Sequence, residues 1–136
     1  MKVLLDTNVI LDVLGRRKGF YEDSFLALNI SCPAHVPCVS TITVTDTAYL
    51  SRKFFKNSQE QKNILAEFFS DFKILPVTGW TIRQAFASSM DDFEDAVQAF
   101  CARKAGAKLI ITRNVKDFSL SPVPALSPAD FAKSAP

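Results

Sequence analysis

Short apolar runs alternate along this chain with longer segments of mixed polarity. Val3–Leu5 is an apolar run bounded by Lys2 and Asp6 and reads as a buried strand. From Asn8 to Leu14, Val9, Ile10, Val13 and Leu14 recur at helical spacing, and Gly15 supplies a stop. A second helix is expected from Phe20 to Ile30, with Phe20, Phe25, Leu26 and Ile30 apolar. Pro33 and Pro37 bracket a loop that leads into a strand at Val36–Val39. Ser40 or Thr41 caps the next helix, whose apolar residues include Val44, Ala48, Phe54 and Phe55. Ser58 caps another helix, running to Asp71 through Ile64, Leu65, Phe68 and Phe69. Lys73–Val77 is a short strand, and Thr78 caps a helix through Ser88. Asp91 and Asp92 open a helix to Lys104, where acids suit the positive end of the helix dipole, and Gly106 ends it. Lys108–Thr112 holds Leu109-Ile110-Ile111, a second buried strand. Pro122 and Pro124 bracket a last edge strand, and Ser127 or Pro128 starts a terminal helical turn. Apolar strands alternating with amphipathic helices predict an α/β fold, with a mainly parallel sheet covered on both faces.

Composition narrows the class. A length of 136 residues suits one domain, 1–136, with 132–136 expected as a flexible tail. At 48% hydrophobic residues, including twelve Phe, the chain has material for a real core, which excludes a disordered protein. A net charge of +2 excludes a strongly cationic nucleic-acid coat. Cys32, Cys38 and Cys101 are an odd set with no repeated spacing, and His35 is alone. They form neither a disulfide framework nor a zinc site, and are expected as reduced thiols. The apolar start is too short for a signal peptide and no run suits a membrane helix, so a cytoplasmic location is expected.

The acids are the candidate chemistry. Asp6 directly follows the first strand, Asp46 and Asp95 fall in the first turns of helices, and Asn114 and Asp117 follow the strand ending at Thr112. In an open α/β sheet such positions lie at the carboxyl ends of the strands, where ligands bind. Clustered carboxylates repel unless a cation pairs them, and hard divalent cations choose oxygen ligands. Helix capping and solvated surface charge explain single acids equally well. On spacing, Asp12 is expected at the surface, Asp91 and Asp92 as caps, and Glu94 turned away from Asp95. Basic residues at Arg16-Arg17-Lys18, Arg52-Lys53, Lys56, Arg103-Lys104, Arg113 and Lys116 are able to meet phosphates; Arg113 and Lys116 are preferred because they flank the acids. Phe54, Phe55, Phe68 and Phe69 are expected as core or dimer contacts, and His35 as a loop residue.

Four segments together resemble the motifs of PIN domains. They are Val3-Leu4-Leu5-Asp6-Thr7-Asn8-Val9-Ile10-Leu11-Asp12, Val39-Ser40-Thr41-Ile42-Thr43-Val44-Thr45-Asp46, Asp92-Phe93-Glu94-Asp95-Ala96 and Ile110-Ile111-Thr112-Arg113-Asn114-Val115-Lys116-Asp117-Phe118. Their order and spacing match across residues 2–131, most closely in the ribonuclease toxins of bacterial toxin–antitoxin pairs. The resemblance implies a PIN-like three-layer fold and a Mg²⁺- or Mn²⁺-dependent ribonuclease. It also implies a cognate antitoxin protein and a homodimer. It makes Asp6, Asp46, Asp95 and Asp117 the catalytic acids, with Asp6, Asp95 and Asp117 on the metal. Thr7, Asn8, Thr112 and Asn114 would orient them, and Arg113 and Lys116 would contact RNA. Asp46 stands where the family usually has Glu, and Asn114 where it often has Asp. A site so depleted suits, as the alternative, a catalytically impaired module that binds RNA or protein. A phosphatase is a weaker rival, because phosphoaspartyl chemistry usually shows Asp-x-Asp and here Thr7-Asn8 follows Asp6.

Overall fold

The computed structural model describes residues 1–134, leaving out the side chains of 30–33. Ile30, Cys32 and Pro33 of the sequence reading therefore lie outside the described side chains, and the last two residues of the expected tail outside the described residues. The strands are β1 (Lys2–Leu5), β2 (Val36–Ser40), β3 (Lys73–Leu75), β4 (Leu109–Ile111) and β5 (Ala125–Leu126). The helices are α1 (Thr7–Leu14), α2 (Tyr21–Ala34), α3 (Thr41–Leu50), α4 (Ser58–Phe68), α5 (Gly79–Ala87), α6 (Phe93–Ala105) and α7 (Pro128–Ser134). The five strands form one sheet in the order β3-β2-β1-β4-β5, and every neighbouring pair is parallel. No helix among the described residues is long and apolar enough to cross a membrane.

The continuous apolar runs follow from coverage on both faces. Successive strand side chains point to opposite sides. Leu4 and Ile110 pack with α5 and α6 residues such as Ala85, Val97 and Ala102. Val3, Leu5, Leu109 and Ile111 pack on the other face with Val9 and Ile10 of α1, Ala27 of α2, Leu65 of α4 and Phe131 of α7. The result is three layers, as expected, with β1 at the centre and the strand order reversing between β1 and β4. That reversal is where an open parallel sheet leaves a crevice at its carboxyl edge.

Several local expectations are corrected. Helix α2 runs on to Ala34, beyond Ile30. Helix α3 stops at Leu50, so Phe54 and Phe55 are not on it; Arg52–Phe54 is a 3₁₀ turn and Phe54 is exposed. Asn57, not Ser58, caps α4: its side chain accepts from the Glu60 N–H at 2.8 Å, while the Glu60 carboxylate accepts from the Lys56 N–H at 2.6 Å. Adjacent Asn and Ser are both good caps; the Asn57 side chain makes the cap bond, and Glu60 reaches back to the residue before it. Phe68, Phe69 and Phe72 stack among themselves under α4, with centroids 5.0–5.6 Å apart.

Helix α6 carries the site and is fixed at both ends. The Asp92 side chain accepts from the Asp95 N–H at 2.9 Å, and Gly106 ends the helix at φ +76. Nothing lies within 4 Å of where a Cβ at Gly106 would project, so a substitution there meets only backbone strain. Gly106→Ala is expected to cost about 1 kcal/mol, read as a lower urea midpoint with an unchanged slope. An unchanged midpoint would refute this role.

Candidate active site

Asp6 sits where β1 becomes α1, 6% exposed, and its own N–H donates to the Ile111 carbonyl of β4 at 2.9 Å. Four donors reach its carboxylate. Oδ1 accepts from the Thr7 N–H at 2.8 Å and from Gln98 Nε2 at 3.0 Å. Oδ2 accepts from the Thr112 hydroxyl at 2.8 Å and from Asn8 Nδ2 at 3.4 Å. Burial without such bonds would cost several kcal/mol, of order 1–3 per unpaired group and more for a charge. The network spreads outward. Gln98 Nε2 also donates to the Thr43 hydroxyl at 2.8 Å, and Thr43 meets the Thr7 hydroxyl at 2.9 Å. Asn8 Oδ1 accepts from the Arg113 N–H at 3.2 Å, and the Thr112 hydroxyl accepts from the Asn114 N–H at 3.1 Å. The ends of β1, α1, α3, α6 and β4 are thus tied to one carboxylate.

Beside Asp6 opens a pocket of about 240 Å³, whose walls carry Asp46 of α3 and Glu94 and Asp95 of α6, together with Thr7, Asn8 and Asn114. The Asp95 carboxyl is pushed up to about 7 by burial, then by the charges of Asp6, Asp92, Asp117 and Glu94. Glu94 is also raised, by burial and then by the charge of Asp46 and a hydrogen bond to it. The expectation that Glu94 turns away is therefore corrected. At the first turn of α6 the helix end itself faces the pocket, so adjacent side chains both reach it. Asp117 lines a neighbouring cavity with Asp91, Asp92 and Lys116, near enough to act on Asp95 but off the pocket wall, where Asn114 stands instead. Among the described residues, no three or more His, Cys, Asp or Glu side chains converge closely enough to form a ready metal cage.

Two further residues depart from expectation. Asp12, expected at the surface, is fully buried. Its Oδ2 accepts from Arg113 Nε at 2.7 Å and from the Ser24 hydroxyl at 3.1 Å, and its Oδ1 from Arg113 Nη2 at 3.3 Å. The Arg113 guanidinium lies 4.0 Å over the Phe20 ring, so it is engaged inside the fold, while Lys116 is exposed on the flank. A lone acid in the apolar run Val9–Leu14 is compatible with burial, but its partner lies far away in the chain. Gln98 and Arg17 also line the pocket; the sequence names Arg17 only as one of several basic residues able to meet phosphates, and does not point to Gln98 by motif. Gln98 was findable, because it follows Asp95 by three residues and so shares its helix face. Its amide orientation is forced, since a carboxylate only accepts, and this leaves Gln98 Oε1 buried without a partner. His35 lies between α2 and β2 against Phe131, away from the pocket. Cys38 and Cys101 are free and buried.

The PIN-domain family model matches residues 2–116. No curated protein matches the chain. Among solved structures, a toxin–antitoxin complex from Klebsiella pneumoniae is 25% identical, with a TM-score of 0.71 over 93% of this chain and 97% of that one. VapBC-1 from nontypeable Haemophilus influenzae is 19% identical, with a TM-score of 0.71 over 94% and 98%. FitAcB from Neisseria gonorrhoeae is 21% identical, with a TM-score of 0.68 over 93% and 97%. The last two carry the likeness of fold alone; the family match covers most of the sequence, including Asp6, Asp46 and Asp95. On that match, and with the three-layer parallel architecture to accompany it, this chain belongs to the PIN-domain family.

Proposed function

We propose that this chain is a metal-dependent endoribonuclease that hydrolyses RNA phosphodiesters, the toxin of a toxin–antitoxin pair acting in the cytoplasm. The observation that carries the reading is the gathering of Asp6, Asp46, Glu94 and Asp95 around one pocket at the strand-order reversal. The donor set fits a hard divalent cation. It is all oxygen, burial and then the neighbouring acids hold Asp95 at about 7, and a buried amide oxygen, Gln98 Oε1, lacks a donor. Mg²⁺ typically keeps several waters and takes one or two carboxylates, a demand that Asp6 and Asp95 are able to meet. Asp6 and Asp95 would hold Mg²⁺ or Mn²⁺, with Asp117 adding long-range charge from the flank. Such a cation, when bound, neutralises charge on the phosphodiester and makes water a better nucleophile. Asp46 and Glu94 present carboxyl oxygens that orient the attacking water, and Thr7, Asn8, Thr112 and Gln98 keep Asp6 aimed. The partners proposed are a cognate antitoxin protein, as in the complexes that resemble this fold, and a second copy of the chain. The second reading, an impaired binding module, is favoured by Asn114 standing on the wall where Asp117 does not. RNA turnover separates the two.

Asp6→Asn and Asp95→Asn are expected to differ instructively. Each lowers metal-dependent RNA cleavage by about 100-fold or more, beyond the loss typical of a residue that only supports a ligand. Asp6→Asn sets an NH₂ among donors and also lowers stability by roughly 1–3 kcal/mol. Asp95→Asn removes a carboxylate that the fold disfavours, so the melting temperature of the EDTA-treated protein rises at neutral pH. Wild-type cleavage by either variant on pure RNA, or by wild type in EDTA, would refute the assignment.

Because the folded Asp95 carboxyl titrates above its ordinary value, the folded state holds a proton that the unfolded chain has released. Stability from this group is full at low pH and falls as pH rises from about 4 to about 7. Melting curves of the metal-free protein should show that decline, and Asp95→Asn should flatten it. A decline of equal size in the variant would exclude Asp95 as its source.

A further inference from the structure

Among the described residues, Arg17 is the only basic side chain on the walls of the carboxylate pocket. Its backbone is held on both sides. The Arg17 N–H donates to the Asp12 carbonyl at 3.1 Å, and the Arg17 carbonyl accepts from the N–H groups of Phe20 at 3.1 Å and Tyr21 at 2.9 Å. The turn that delivers it depends on Arg16 at φ +46, in the left-handed region. A non-glycine residue there costs about 1–2 kcal/mol, so the surrounding bonds hold the turn against strain. The Arg17 side chain, in contrast, is 47% exposed, with Nη1 3.8 Å from Asp12 Oδ1. That carboxylate already accepts from Arg113 and Ser24. Asp12 thus attracts Arg17 without hydrogen-bonding it. One buried carboxylate shared by two guanidiniums leaves a positive charge at the edge of a pocket walled by acids. Arg17 makes no ion pair with Asp6, Asp46, Glu94 or Asp95, so its fork of donors has no partner among them. A guanidinium fork of this kind matches the oxygens of a phosphate.

We infer that Arg17 is the phosphate anchor of the pocket. It binds a backbone phosphate of the substrate strand beside the one that is cut, and draws a polyanion into a cleft whose acids repel it. The inference rests on the ribonuclease reading above and adds to it a residue and a subsite. Because the contact is to phosphate, its contribution is independent of base sequence.

The test is steady-state cleavage of two single-stranded RNA oligonucleotides of unrelated sequence, with Mg²⁺, from about 50 to about 200 mM salt. Arg17→Ala is expected to raise KM about tenfold on both, with kcat within about twofold, the signature of lost ground-state binding. The slope of log kcat/KM against log salt should become shallower by about 0.7, one phosphate contact to a single strand. Arg17→Lys should restore the slope and part of KM. Lys18→Ala, which removes a neighbouring charge outside the pocket, should move KM and slope less. Wild-type KM and slope in Arg17→Ala overturn the inference. So does a fall in kcat with a lowered melting temperature that Lys does not restore, which marks a structural role. RNA left uncut by wild type in every condition overturns the ribonuclease reading itself, and is distinguishable because it precedes any comparison of variants.

Discussion

The carboxylate of Asp6 is the constraint on which the rest of this structure turns. It is buried, and a buried carboxylate is tolerable only when its oxygens are saturated with donors. Four donors come from three places: the Thr7 N–H and Asn8 amide on α1, the Thr112 hydroxyl after β4, and the Gln98 amide on α6. Each bond fixes the end of an element relative to β1. The carboxyl edges of β1 and β4 and the amino end of α6 therefore meet in one place, with α3 joined through Thr43. The same bonds that make burial of the charge possible also set the orientation of the group on which the proposed chemistry depends.

Around that well-bonded acid the pocket is unbalanced in charge. Asp95 and Glu94 sit at the start of α6, where the helix dipole favours negative charge, yet burial and neighbouring acids raise both. Burial and the repulsion between carboxylates together exceed what one helix end offsets. Such a site is costly to the fold and makes sense where a cation completes it, a stability–function conflict of the kind that concentrates in active sites.

A second buried acid, on α1, behaves in the opposite way. Asp12 is compensated from both sides, by Arg113 at 2.7 Å and by Arg17 at 3.8 Å. The Arg113 backbone N–H also donates to Asn8, which contacts Asp6. The ion pair and the pocket thus share one scaffold, and the loop after β4 is held by side chain and main chain together. Phe20, lying against the Arg113 guanidinium, links the turn before α2 to the same scaffold.

The sequence by itself determined the layers, the strands and the acids at their ends. Runs such as Val3–Leu5 and Leu109–Ile111 are apolar at every position because both sheet faces are covered, and that pattern survives in one dimension. The caps at Ser40, Thr78, Asp92 and Gly106 are local and were equally legible. What only the tertiary structure decided is which side chains face one another across elements far apart in the chain. Spacing could not show that Asp12 is buried, because its partner Arg113 lies 101 residues away. It could not show that Glu94 joins Asp46, that Gln98 grips Asp6, or that Asn114 rather than Asp117 reaches the wall. Burial and charge pairing are properties of space, and a periodic pattern records only which face of its own element a residue occupies.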